Sequence, residues 1–268
     1  MISTSGLSPF VGISLVRENR DMFEADVQRD PTSKREIDAF RERISSIGTI
    51  DELVEDYQVF SFVMKSFGLE NEIYAKAMMK EIITSDTEDS SSLVNKLTDS
   101  SYTEINTELG FSTDGIAGEN FLDADWIEGM VARYTDQRLI DTQSDENESV
   151  GLALTFEQKI GAMDNWYKVL ADEEMTSFFT TAFGLPDEFD NANIDAKKAM
   201  FEKRISIEDL QDPEVQERLI RQFSAFADVI ESQQTQSAAV TLLSSGTSYT
   251  AVTIDIEMIQ GFSGSKYL

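Results

Sequence analysis

Apolar residues recur every three or four positions along most of this chain, which is the spacing of an amphipathic α-helix. The spacing runs through residues 9–29, 32–44, 53–67 and 213–230. Strand-like alternation with a period of two occurs near the C-terminal end. We therefore predict an all-α fold with a short extended C-terminal tail.

Polar residues and glycines mark the ends of the predicted helices. Thr49 and Glu52 have the spacing of a capping box, in which each side chain accepts a hydrogen bond from the other residue's backbone N–H. Gly68 and Gly184 each follow an aromatic-rich apolar run. Because glycine adopts the left-handed conformation that closes many helices, we expect both runs to end there.

A long helical pattern occupies the middle of the chain. Asp123 is placed to cap a helix that runs to about residue 162. Its middle, residues 141–149, is polar on all sides, as in a helix that bridges two packed ends. We predict one long connecting helix within 119–163. Gly129 and Gly151 weaken this pattern, so a break near 145–151 is the alternative.

The two aromatic runs resemble each other. Phe67-Gly68-Leu69 and Phe183-Gly184-Leu185 are 116 positions apart, and Asp56 and Asp172 precede them at the same distance. We interpret these triplets as the anchors of two related multi-helix modules joined by the long segment. Convergence is the alternative, because any helix that ends on a core can show this triplet. The predicted divisions are an N-terminal helix (1–31), a first module (32–118), a connecting helix (119–163), a second module (164–245) and the extended tail (246–268).

The alternating residues of the tail are Val252, Ile254, Ile256 and Met258. Alternation predicts a half-buried strand, and such a strand can add to a sheet edge of a partner or pair with its twin in a homo-oligomer. The alternative is an arm that packs on its own body or is disordered.

Composition and charge narrow the function. The chain has 22 basic and 50 acidic residues, a net charge of −28. Phosphate backbones and anionic membrane surfaces are repelled by such a charge, so we expect no nucleic-acid partner. No apolar run reaches the length of about 20 residues that spans a bilayer, and no basic stretch precedes an apolar block at the start. We expect no membrane insertion and a cytoplasmic protein, or one exported without a cleaved signal peptide.

The chain contains no Cys and no His, which excludes thiol nucleophiles, histidine bases and most transition-metal sites. Asn191, Asn193, Asp195 and Glu202 have the spacing of a calcium loop, but Ala196 stands where that loop needs glycine. We predict instead that Asn193 caps a helix. A serine-lysine pattern at 263–266 lies at the chain end and lacks its usual companions. We assign no catalytic, cofactor-binding or metal-binding residue.

Several segments together are similar to a known family. They are Lys34–Phe40, Asp51–Val54, Phe67–Leu69, Asn95–Asp99 and Phe183–Pro186. The combination, spread over residues 30–230, resembles family twelve-seventeen of the bacterial domains of unknown function. Members of that family are helical proteins of alphaproteobacteria, often encoded beside flagellar genes. The resemblance implies a flagellum-associated role and supplies no catalytic residues.

We therefore expect a non-enzymatic, flagellum-associated protein that acts through protein–protein interaction in export, assembly or a structural accessory role. The alternative is a cytoplasmic chaperone-like or adaptor module, unrelated to flagella, that holds a basic partner with its acidic surface or its tail. A third hypothesis is a hydrolase that uses carboxylates alone.

Overall fold

The fold is that of a computed structural model, which describes residues 3–244 except for the side chains of residues 187 and 233–244. The described residues form thirteen α-helices joined by turns and short 3-10 segments, and no strand, so the all-α prediction is confirmed. The helices are α1 (Pro9–Glu18), α2 (Arg20–Arg29), α3 (Pro31–Arg43), α4 (Ile50–Glu55), α5 (Tyr57–Ser66), α6 (Lys76–Ile83), α7 (Ser100–Leu109), α8 (Ala124–Glu146), α9 (Glu148–Lys159), α10 (Trp166–Ala171), α11 (Glu173–Ala182), α12 (Ile194–Glu202) and α13 (Pro213–Ser244).

The chain divides into two compact units, one ending at Asp228 and the other beginning at Val229. The first unit contains two clusters of buried apolar side chains. The first cluster draws on α3 to α8, and the second on α1, α2, α8 to α13. Helix α8 serves both, because Tyr134 is buried in the first cluster and Leu139 in the second. How residues 1–245 divide into modules remains a prediction.

Residues 9–29 form two helices where one was predicted. Asn19 leaves the helical conformation, and its side-chain amide donates a hydrogen bond to the Leu15 carbonyl at 2.9 Å. The backbone N–H of Asn19 donates to the same carbonyl at 3.2 Å, so Asn19 closes α1, and α2 begins at the next residue. The buried side of α1 carries Ile13 and Val16, whereas Phe10 is 54% exposed.

The segment predicted as one long connecting helix, 119–163, contains two helices that turn back on each other. Asn147 ends α8 and caps α9, its side chain accepting from the Val150 amide at 3.2 Å. Asp136 and Gln158 are joined by a hydrogen bond of 3.2 Å across the hairpin, so α8 and α9 are antiparallel. A continuous helix was therefore wrong, and the alternative, a break within 145–151, is confirmed.

The polar middle of this segment is explained by the N-terminal residues that pack on it. The Thr4 amide donates to Glu146 at 2.8 Å, and the Thr4 hydroxyl donates to Gln143 at 2.8 Å inside the protein. Asn147 donates to the Leu7 carbonyl at 3.0 Å. The residues at the turn are thus polar because they bind backbone and side-chain groups of the N-terminal segment.

Helix α1 is held to the second cluster by charge as well as by apolar packing. Arg17 forms ion pairs with Glu157 of α9 and with Glu217 of α13, the latter at 3.0 Å.

No helix in the described part of the chain is both long and apolar enough to cross a bilayer.

We expect Gly151→Ala to lower the free energy of unfolding by about 2 kcal/mol, because the new methyl group would lie 2.6 Å from the Ser144 Cα on the facing helix. The matched control is Gly129→Ala in the same hairpin, where a Cβ meets nothing within 4 Å. That change should stabilise the protein by about 0.5–1 kcal/mol. Urea unfolding measures both, and a stabilising Gly151→Ala would show that the helices do not approach this closely.

Candidate functional site

The two aromatic helices predicted as repeat anchors start in the same way. Asp56 precedes α5 and accepts from the Val59 amide at 3.3 Å, while Asp172 precedes α11 and accepts from the Met175 amide at 2.9 Å. Both helices have ten residues. The carboxylates satisfy amides of the first turn and lie at the positive end of each helix dipole.

Both helices also end in the same way, at the predicted glycines. Gly68 and Gly184 have φ of 69° and 55°, which is the left-handed conformation. The Leu69 amide donates to the Met64 carbonyl at 2.9 Å, and that of Leu185 donates to the Thr180 carbonyl at 3.0 Å. These six-residue closures are Schellman motifs. The two anchors differ in burial. Phe67 and Leu69 are buried in the first cluster, whereas Phe183 and Leu185 are only half-buried against the second.

Each aromatic helix carries the middle ring of a stack of three. Phe62 stacks between Phe40 and Tyr134, with ring centroids 4.1 and 4.5 Å apart. Phe178 stacks between Phe156 and Phe223, at 4.0 and 4.6 Å. The local geometry of the two anchors therefore matches. That they belong to duplicated modules remains our interpretation.

A guanidinium group covers the phenylalanine of each anchor, but the surroundings differ. Arg133 lies 4.1 Å from the Phe67 ring and donates to the Ser66 carbonyl at 3.1 Å. Arg204 lies 5.7 Å from the Phe183 ring, and burial lowers the pKa of its guanidinium. The Phe67 pair borders a cleft, and we take this cleft as the candidate site.

The cleft has a volume of about 420 Å³ and lies among α2, the end of α5, α7, α8 and α9. Its lining is mostly charged and includes Arg20, Phe67, Glu104, Arg133, Asp136 and Lys159. Phe67 is the only sequence-predicted anchor residue in this lining. The charged side chains come from helices far apart in sequence, so the fold and not a local motif brings them together.

Each basic group of the cleft has a carboxylate partner. Arg20 pairs with Asp136 across α2 and α8, and with Glu24 at 3.0 Å. Arg133 pairs with Glu104 of α7. These pairs hold guanidinium and carboxylate groups in fixed positions, so the cleft presents both hydrogen-bond donors and acceptors.

Lys159 pairs outward from the cleft with Asp172 at 2.6 Å and with Glu174 at 3.4 Å. Burial alone would lower the pKa of its ammonium, but the charge of Asp172 and its hydrogen bond outweigh burial, and the pKa is raised. Lys159 therefore stays protonated at neutral pH. A protonated amine cannot act as a nucleophile or a general base, so this lysine offers charge and hydrogen bonds only.

Helix α7 reaches the cleft because Asn106 ties it to α6. The Asn106 side chain is buried and donates to the Ile82 and Ser85 carbonyls at 2.8 and 2.9 Å. Asp99 caps α7 by accepting from the Ser101 amide at 2.9 Å. These bonds satisfy the last carbonyls of α6 and orient α7 so that Glu104 meets Arg133.

The remaining predicted residues lie elsewhere. Asn193 caps α12, accepting from the Ala196 amide at 2.9 Å, which confirms the predicted cap. No group of three acidic side chains within the described residues is arranged to hold a metal ion. The tail residues Val252, Ile254, Ile256 and Met258 and the pattern at 263–266 lie outside the described part of the chain.

The chain is similar to a known protein family and to a solved structure. The model of the family described as "Protein of unknown function (DUF1217)" matches residues 66–215. The crystal structure of protein AGR_C_984 from Agrobacterium tumefaciens is similar, with 30% sequence identity and a TM-score of 0.73. The match covers 84% of this chain and 95% of that one. Comparison with curated proteins found no match.

We expect Lys159→Met to lower the free energy of unfolding by about 2 kcal/mol at pH 7, since it leaves the largely buried Asp172 side chain, which is 9% exposed, without its charged partner. The control is Arg43→Met. Arg43 holds the same place relative to Asp56, at 2.6 Å, but its side chain is 42% exposed, so we expect a loss below about 1 kcal/mol.

The pH dependence has a defined sign. The folded pKa of Lys159 is raised, so its stabilisation is fully present below the unfolded value of about 10.4 and is lost as pH rises through the folded value. Urea unfolding of wild type and Lys159→Met should therefore converge in strong alkali and differ at pH 7. Equal stability at pH 7 would contradict the role of the pair.

We expect Gly184→Ala to destabilise the protein by about 2 kcal/mol and Gly68→Ala by about 1 kcal/mol. Both changes strain a left-handed position, but a methyl group at 184 would also lie 3.0 Å from the Phe226 ring, whereas at 68 it would lie 3.7 Å from Gln137. Thermal or urea unfolding gives the ranking. The reverse order would show that the ring of Phe226 yields easily.

Proposed function

The chain belongs to the DUF1217 family, and on that premise we propose that it is a non-enzymatic, flagellum-associated protein that acts by binding another protein. The roles we consider are export, assembly and structural accessory. The flagellar part of the proposal is supported by the family resemblance, since members are often encoded beside flagellar genes. We propose a location in the cytoplasm, or outside it after export without a cleaved signal peptide.

The observation that carries the binding part is the mixed-charge cleft beside Phe67. Its guanidinium and carboxylate groups are held in place by the Arg20–Asp136 and Arg133–Glu104 pairs. Interfaces between proteins use such preorganised polar groups to fix register, and arginine is enriched in them. The lining contains as many basic as acidic side chains, although the net charge of the chain is −28. An acidic partner is therefore repelled less at the cleft than the net charge alone would predict.

Catalysis is less well supported than binding by the chemistry of this cleft. Lys159 is held protonated, and the full sequence lacks His and Cys. The three lining carboxylates, Glu24, Glu104 and Asp136, each accept a hydrogen bond from an arginine. A hydrolase would need one carboxyl group free to take up and release a proton.

A motility experiment tests the proposal. Deletion of the gene in a flagellated host should reduce swimming, and the wild-type chain should restore it. Gln158→Trp, which fills the exposed rim of the cleft with a bulky ring, should fail to restore swimming although the protein folds. The control is Glu81→Trp, at an exposed position of α6 outside the cleft lining.

Affinity capture with the same three proteins reports on the partner. We expect a flagellar protein to be retained by wild type and by Glu81→Trp and lost with Gln158→Trp. Normal swimming of the deletion strain would count against the flagellar role. Capture of one specific non-flagellar partner, with no motility defect, would select the adaptor alternative.

A further inference from the structure

The chain between the second aromatic helix and its stacking partner is one helix shorter than the corresponding stretch of the first. Phe62 of α5 and Tyr134 of α8 are 72 positions apart, and the chain between them contains α6 and α7. Phe178 of α11 and Phe223 of α13 are 45 positions apart. The backbone between them is described throughout and contains a single complete α-helix, α12.

At the first anchor, α7 supplies a carboxylate. Arg133 lies over the Phe67 ring, and Glu104 of α7 binds its guanidinium. Phe67 itself is 4% exposed. The ring, the guanidinium over it and the carboxylate of a neighbouring helix together complete this end of α5.

At the second anchor, the guanidinium has no carboxylate partner among the described residues. Arg204 is exposed, lies 5.7 Å from the Phe183 ring and donates a hydrogen bond of 3.2 Å to the Met200 carbonyl. Partial burial lowers the pKa of Arg204, and no described acidic group raises it. By contrast, Glu128 raises the pKa of Arg41. In a chain with 50 acidic residues, Arg204 thus stands apart from all those that the structure describes.

Apolar side chains next to Arg204 are also left partly open. Phe183 and Leu185 are half-buried at the edge of the second cluster, and half-buried Phe226 contacts the intervening Gly184. We call Phe183, Leu185, Arg204 and Phe226 the open anchor. Arginine and aromatic side chains are the residues that contribute most to binding at protein interfaces.

Charge indicates which chemical group completes the open anchor. Residues 197–221 contain six basic and six acidic residues, whereas the whole chain contains 22 and 50. A single carboxylate is therefore repelled less here than over the rest of the chain, and an unpaired guanidinium attracts it. A nucleic acid is disfavoured, because its row of phosphates would extend over the acidic remainder.

We infer that the open anchor binds an amphipathic helix of a partner protein, which places one carboxylate on Arg204 and apolar side chains against Phe183 and Phe226. This helix takes the role at the second anchor that α7 has at the first. None of the four open-anchor residues lines the cleft beside Phe67. The inference therefore goes beyond the proposed function and does not depend on it.

Photo-crosslinking of the full chain in its native host tests the inference. A photoreactive phenylalanine analogue replaces Leu185, and mass spectrometry identifies the crosslinked segment. We expect one partner protein, crosslinked at a helical segment that contains Asp or Glu. Adding Arg204→Glu should lower the yield about tenfold or more, because two carboxylates then oppose each other. Arg204→Gln, which removes the attraction without adding repulsion, should lower it less.

The matched control is Arg35→Glu, which should leave the yield unchanged. Arg35 is exposed on α3 and, like Arg204, donates to the carbonyl four residues earlier at 3.2 Å. Circular dichroism shows whether the helix content of each variant is kept. Replacing the crosslinked Asp or Glu of the partner by Lys should restore the yield with Arg204→Glu, which a merely unfolded variant could not do.

Three results would overturn the inference. They are the absence of a crosslinked protein, a yield that does not respond to Arg204→Glu, and a crosslink to a second copy of this chain or to a nucleic acid. A yield lost in Gln158→Trp and kept in Arg204→Glu would assign the contact to the cleft instead. A motility defect without any crosslink at position 185 would leave the proposed function standing and remove this inference alone.

Discussion

Ring stacking on Phe62 and Phe178 is the interaction on which the rest of the first unit depends. Each ring is fully buried and has an aromatic neighbour on both faces. Stacked rings fix both the distance and the rotation of the helices that carry them, which aliphatic contacts do less strictly. The aspartate before each helix and the glycine after it then fix where the stacked segment starts and ends.

Helix α8 connects the two clusters of buried apolar side chains. Its first half stacks Tyr134 on Phe62, and its second half supplies Leu139 to the other core. One rigid helix therefore sets the distance between the clusters, and the hairpin with α9 sets their orientation. The cleft results from that arrangement, because α2, α7 and α9 meet α8 around the ion-paired side chains of Arg20 and Arg133.

The sequence was sufficient for features that depend on neighbouring residues. The capping box at Thr49, the left-handed ends at Gly68 and Gly184 and the cap at Asn193 each rest on a bond spanning a few positions. The continuous helix over 125–162 was wrong because periodicity does not register a reversal of direction. Its polar middle was interpreted as a bridge between two packed ends, whereas Thr4 and the segment around it pack there. Contacts between residues some 140 positions apart leave no local pattern.

The cleft was missed for the same reason, although the sequence contained one usable signal. Basic residues are scarce in this chain. Arg133 lies over the Phe67 ring, and Lys159 pairs with Asp172 at the start of the second aromatic helix. Lys159 corresponds to Arg43 by the spacing of 116, yet Arg43 is exposed and Lys159 is half-buried beside the cleft. Similar local sequence thus has different surroundings at the two aromatic helices, and α7 accounts for part of the difference. The charge of Asp99, at the start of α7, contributes to the raised pKa of Lys159. Arg43 instead binds Asp56 and Gln58, which lie at the start of the neighbouring helix α5. The site therefore results from the different surroundings of the two aromatic helices, whereas the caps and ring stacks that these helices share supply its frame.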